Sequence, residues 1–305
     1  RLFVEKMMKK SLLTLLLSSL FLSGSALAQS TTPASHLDRI KETKILVAGY
    51  REQSIPFSYL NNGKPTGFGV ELTERVAEAI RKKFNAPDVR IRWNAVTLST
   101  RYPLMTTKTL DINCATDIHT KASEELVGFS NTFYITRTSM VVAKDLNVKT
   151  LADLQGKRLA VPAGSTIEAK LRSAITEKNW NMTIVPVRSN WVGMHDLFAG
   201  KVDALGNAHS LLTSELFLHP DADKYEILPA GQYKEAYACL LPKGDTAFKK
   251  LVDDVLAGMM QSGEMEALYK KWFNQPLQPF NKSLDMPMNE ATQVLYKAPN
   301  DTPLE

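Results

Sequence analysis

Short apolar runs alternate along the chain with stretches in which apolar residues recur every three or four positions. Lys44–Gly49 (KILVAG) is a run of the buried-strand type, and Gly69–Phe84 follows with Leu72, Val76, Ile80 and Phe84 on one helical stripe. The same reasoning predicts strands at Val89–Val96 and Asp111–Cys114 and a short helix at Arg101–Lys108. A second series starts at Thr150, with a helical turn at Leu151–Leu154, strands at Arg158–Val161, Thr183–Val187 and Ala204–Asn207, and helices at Ser165–Glu177 and Trp191–Ala199. Strands separated by helices are the mark of an α/β sheet wound by crossover connections, so the chain is expected to hold two such units. Two further β-type runs, Thr138–Ala143 and Ala236–Leu241, read as connectors between and after the units, and Thr246–Ser262 and Gly263–Phe273 as amphipathic helices.

The N-terminus has a different pattern. Lys9 and Lys10 precede an apolar run, Leu12–Leu22, and Ala26, Leu27 and Ala28 supply a small-x-small cleavage site, so residues 1–28 are expected to be a removed secretory signal with residues upstream of a start at Met7 or Met8. The apolar run is shorter than the ~20 residues that span a bilayer, which argues against an anchor. Residues 29–35 are small and polar, a disordered lead-in. The expected location is the periplasm, and no cysteine follows the signal to carry a lipid. The leader holds +3 of the net charge of +5, leaving about +2, which gives no reason to expect nucleic acid. Cys114 and Cys239 form an even pair in an exported chain, which favours a disulfide over two buried thiols.

Ligands of open α/β sheets sit beyond the carboxyl ends of the strands. The residues just after the expected strands include Arg51, Thr97 to Arg101, Thr116 to Lys121, Gly164 to Thr166, Asn190 and Asn207 to His209, a polar set rich in cations and hydroxyls. Gly164, Ser165 and Thr166 stand at a strand-to-helix junction, where free N–H groups favour an anion or form an ordinary N-cap. No nucleophile elbow, zincin, redox, phosphate-loop or dinucleotide motif occurs, and the five histidines lack metal-ligand spacing and read as surface or capping residues. No cofactor or metal is expected.

The strings IPFSY (Ile55–Tyr59), GFGVEL (Gly67–Leu72), LADLQGKRLAV (Leu151–Val161), AGST (Ala163–Thr166) and KWF (Lys271–Phe273) together resemble the polar amino-acid family of periplasmic solute-binding proteins. The segment around Arg51, EAYAC around Cys239 and PND at Pro299–Asp301 are most similar to its glutamate/aspartate-binding branch. The resemblance implies a type II fold of two α/β lobes, residues 35–139 with 241–305 and residues 140–240, joined by two hinge strands near 138–143 and 236–241. A solute is held in the cleft between the lobes, and the closed form, expected to be a monomer, is presented to the membrane permease of an ABC importer. It also implies that Arg51 and Arg101 receive an acidic side chain, that Thr116 and Thr166 approach the ligand, and that Asn190 occupies a position often held by a contacting histidine.

Two departures from the family pattern stand out. The usual arginine for the α-carboxylate aligns with Ser123, and the usual aspartate for the α-ammonium with Ala208. Lys121 and Asp117 are candidate substitutes, and an organic anion such as a dicarboxylate is the alternative to an acidic amino acid. Some relatives resemble dehydratases, chemistry for which Asp117 is the candidate acid or base.

Overall fold

The structure is a computed structural model and describes residues 35–304; the expected signal segment, 1–28, lies outside the described residues. Helix α1 (His36–Thr43), capped by the Ser35 hydroxyl, leads into β1 (Ile45–Tyr50). A small antiparallel sheet follows, β2 (Gln53–Ser54), β3 (Ser58–Asn61) and β4 (Lys64–Thr66), which apolar periodicity does not reveal because its strands are two to four residues long. Then come α2 (Phe68–Phe84), β5 (Arg90–Ala95), α3 (Arg101–Thr106), β6 (Ile112–Asn113) and α4 (Lys121–Glu124).

The expected connector at Thr138–Ala143 is the end of a 16-residue strand, β7 (Gly128–Ala143). The second series is β8 (Arg158–Pro162), α5 (Thr166–Glu177), β9 (Thr183–Val187), α6 (Asn190–Phe198), β10 (Ala204–Ala208) and α7 (His209–Leu218). The other connector is likewise the end of a longer strand, β11 (Tyr225–Leu241), of 17 residues. Helices α8 (Thr246–Ser262), α9 (Glu264–Phe273) and α10 (Glu290–Lys297) complete the chain.

One eight-stranded sheet runs β5-β1-β6-β11-β7-β10-β8-β9. Its two ends are parallel, β1 with β5 and β6, and β8 with β9 and β10, as crossover helices require. The middle is the antiparallel pair β7 and β11. Their pairing runs from Gly128 to Arg137, with register shifts at Tyr237/Ala238 and Ala238/Leu240, and again from Ser139 to Ala143, with the widest register break between Pro229 and Lys234. The break therefore lies opposite Thr138 on β7 and upstream of Ala236 on β11. Separate apolar clusters flank it, on one side those around Leu72, Phe133 and Phe248 and around Val47, Leu110 and Phe129, on the other those around Val142 and Leu159 and around Leu205 and Leu212.

The first core is anchored by Phe57, which is fully buried and meets Tyr134, Tyr237 and Phe273 edge-on at 4.9, 5.2 and 5.4 Å between ring centres. Gly69 is fixed by close approach, since a Cβ there would stand 1.7 Å from the Cys114 carbonyl oxygen. Cys114 is bonded to Cys239, tying the end of β6 to β11 across 125 positions of sequence. Two of the five histidines differ from expectation: His36 and His119 are buried against Asp111 and Glu124, at 2.6 and 2.7 Å, because each ring packs on a phenylalanine.

A disulfide closing so long a loop stabilises a fold by about 2–4 kcal/mol. The Cys114→Ala plus Cys239→Ala protein is expected to lose stability in that range in urea unfolding while keeping its far-ultraviolet circular dichroism; unchanged stability would mean that the core alone holds this corner.

Candidate functional site

A cavity of about 390 Å³ lies at the strand ends, walled by both halves of the sheet. Arg51 to Ser54, Thr97, Arg101, Thr116 and Tyr237 line one side, and Ser165, Thr166, Arg188, Asn190 and Asn207 the other. Six of the seven expected ligand residues, Arg51, Arg101, Thr116, Ser165, Thr166 and Asn190, thus meet in one place.

Arg51 is the first residue beyond β1. Its backbone is held by Ser58, whose hydroxyl accepts from the Arg51 N–H at 2.8 Å and donates to its carbonyl at 3.0 Å. Arg101 opens α3 and is 5 % exposed. Its Nε lies 2.8 Å from Asp117 Oδ1, a terminal nitrogen donates to the Leu98 carbonyl, and the guanidinium stacks on Tyr102 at 4.3 Å. The second Asp117 oxygen accepts from Asn113 Nδ2. Asp117 is placed by the main chain: its carbonyl accepts from the Ala238 N–H at 3.1 Å, and the His119 N–H donates to Ala236 at 2.9 Å, so this loop is docked on β11.

The electrostatics follow from burial. Desolvation pushes the Asp117 carboxyl up, while Arg101 and then Arg51 pull it back. Desolvation also pushes the Arg51 guanidinium down, with Asp117 opposing and Arg101 reinforcing the shift. Two guanidinium groups therefore share one carboxylate, and no ion pair is formed by Arg51 among the described residues.

On the opposite wall Ser165 caps α5, its hydroxyl accepting from the Glu168 N–H at 3.2 Å, and the Gly164 N–H donates to Glu168 at 2.8 Å. The cap and the anion site are compatible, because the first-turn N–H groups of Thr166 and Ile167 have no acceptor within the helix. Asn190 opens α6, and its Oδ1 accepts from Asn207 Nδ2 at 2.9 Å. Behind Asn190 lies the buried Glu215, whose carboxyl burial pushes up to about 8, with Asn190 offsetting part of the rise. The hydrogen bond between them is not closed in this conformation, since Asn190 Nδ2 and Glu215 Oε2 each lack a partner.

Lys121 requires a correction. It is exposed and is not part of the cavity wall; it opens the short helix α4, whose first turn is closed by a capping box between Thr120 and Ser123. Ser123 is spent in that box and Ala208 offers a methyl group at the buried end of β10, so neither reaches a ligand through a polar side chain. Asp117 is buried behind the wall rather than exposed in it. Arg188 was not expected, yet it follows β9 directly, and the strand-end rule that selects Asn190 would have reached it two residues earlier. Tyr237 carries no such signal, since it lies within a strand.

Residues 46–275 match the model of the bacterial extracellular solute-binding proteins, family 3. An L-glutamate/L-aspartate-binding protein of Pseudomonas aeruginosa is 34 % identical over 297 residues, covering 97 % of this chain and 98 % of that protein. A glutamate/aspartate import solute-binding protein of Escherichia coli is 32 % identical over 95 % of this chain and 97 % of its own length. Among solved structures, an ArgBP variant of T. maritima superposes with a TM-score of 0.69 at 24 % identity, over 78 % of this chain and 99 % of that one. An ancestral amino acid-binding protein described as a precursor of cyclohexadienyl dehydratase superposes with a TM-score of 0.68 at 23 % identity, over 78 % of this chain and 99 % of that one. These two likenesses concern the fold.

The raised Glu215 carboxyl has a sign that can be measured. Between its ordinary value of 4.5 and about 8 the folded protein keeps a proton that the unfolded chain releases. Stability is therefore full below that window and falls as pH rises through it, by up to about 1.4 kcal/mol per pH unit. Thermal melts from pH 5 to 8 are expected to show Glu215→Gln gaining on the parent as pH rises; a gap independent of pH would contradict a buried, protonated Glu215.

Proposed function

Because the chain belongs to family 3 of the bacterial extracellular solute-binding proteins, we propose that it is the solute-binding subunit of an ATP-driven importer and captures an acidic amino acid in the cavity between its lobes. The observation that carries the ligand class is the pair Arg51 and Arg101 sharing Asp117 at the cavity wall. One positive charge is left without a partner in a poorly hydrated place, and a guanidinium fork matches a carboxylate in two hydrogen bonds. The names of the Pseudomonas and Escherichia relatives support glutamate and aspartate as the solutes.

The lobes are taken as residues 35–139 with 241–305 and residues 140–240, bending where the β7–β11 pairing breaks. Closure would bring the Ser165 and Asn190 wall onto a solute already held by Arg51. The closed monomer would then be delivered to a membrane permease, in the periplasm to which the expected export signal would direct the chain. An enzyme using Asp117 has less support, since both oxygens of that carboxylate are occupied by Arg101 and Asn113 and it stands outside the cavity wall.

A hydrogen bond to a charged group contributes about 1.5–3 kcal/mol, so Arg51→Ala is expected to weaken glutamate or aspartate binding by about 10–150-fold in titration calorimetry. Arg51 is the test position because removing Arg101 would strand the buried Asp117 and endanger the fold. Unchanged affinity in Arg51→Ala would remove this residue from the site.

A further inference from the structure

The cavity wall is unbalanced in a way that bears on the ligand itself. Three arginines line it, Arg51 and Arg101 from one lobe and Arg188 from the other, with no lysine or histidine. The one carboxylate in the lining is Glu52, an exposed residue, and Asp117 behind the wall is committed to Arg101 and Asn113. Three neutral acceptors are committed as well. Asn190 Oδ1 takes the Asn207 amide, Asn207 Oδ1 takes the Ala208 N–H at 2.8 Å, and the Ser165 hydroxyl takes the Glu168 N–H. Beyond the Gln53 amide and the Thr116 and Thr166 hydroxyls, none of which carries a negative charge, the capacity left over in the wall is on the donor side, including Arg188, an exposed residue like Glu52, for which no ion pair is formed among the described residues.

An anionic oxygen gains from such a wall, whereas an ammonium loses its water and finds no carboxylate inside to replace it. We infer that the cavity recognises the two carboxylates of its solute and not the α-ammonium, so that amine-free dicarboxylates of the same length are ligands in their own right. This rests on the carboxylate-binding function proposed above and narrows its chemistry. Arg188 is assigned the second carboxylate, from the lobe opposite Arg51.

The test is titration calorimetry of the purified protein with glutamate and with glutarate, which differ only by the ammonium group. An ammonium held by a carboxylate would contribute about 10–150-fold in affinity. Glutarate is expected to bind within tenfold of glutamate or tighter; glutarate weaker than glutamate by tenfold or more would overturn the inference while leaving the solute-binding function standing. Binding of neither would remove that function, and the inference with it. Glu52→Gln gives an independent measurement, since it tests the one acid that could reach an ammonium. Equal changes for both ligands are expected, and a loss confined to glutamate would place the ammonium on Glu52 and overturn the inference.

Discussion

One buried carboxylate, Asp117, answers two guanidinium groups, and the cleft is built around that shortage. Burying charge is costly unless it is paired, and a buried pair gains its energy only with good geometry and with its remaining hydrogen bonds satisfied. Asp117 meets those terms in part: it accepts from Asn113 on one oxygen and lies 2.8 Å from Arg101 Nε on the other, a contact of ion-pair distance without hydrogen-bond geometry. Arg51 acts on the same carboxylate from a distance and forms no ion pair of its own among the described residues. The charge it contributes is therefore available to a solute.

The fold holds this arrangement by main chain rather than by chance contacts of long side chains. The Asp117 loop is hydrogen-bonded to β11 at Ala236 and Ala238, and three residues upstream the Cys114–Cys239 disulfide fixes the same two segments together. Phe57 packs edge-on against Tyr237 of that strand segment, which joins the cavity wall to the aromatic core. The strands that carry the site also cross to the second lobe, with paired stretches on either side of the break between Pro229 and Lys234. A rigid wall and a place where pairing is interrupted thus lie on the same two strands, which is the mechanical requirement for closing one lobe over a solute held by the other.

Much of this was legible in the sequence because apolar spacing reports burial directly. The helices Phe68–Phe84 and Thr246–Ser262 and the strands Arg158–Pro162 and Thr183–Val187 lie where the pattern puts them, within a residue. The long strands were seen only in part, since Gly128–Arg137 and Tyr225–Glu235 interleave polar and apolar residues without a run to mark them. The helix His209–Leu218 was missed for a related reason: it is buried on several sides and has no amphipathic stripe. Within the site, Arg51, Thr116 and Asn190 followed from the rule that ligands sit beyond strand ends, as Arg188 could have. The commitment of Asp117 and the place of Lys121 outside the cavity wall depend on tertiary contacts that spacing does not encode.

The most direct test of a cleft organised around surplus positive charge is native mass spectrometry of the protein as isolated from cells, with the released small molecule identified by its exact mass. A small anion carrying two carboxylates is the predicted occupant. A neutral or cationic solute bound in stoichiometric amount would contradict the account.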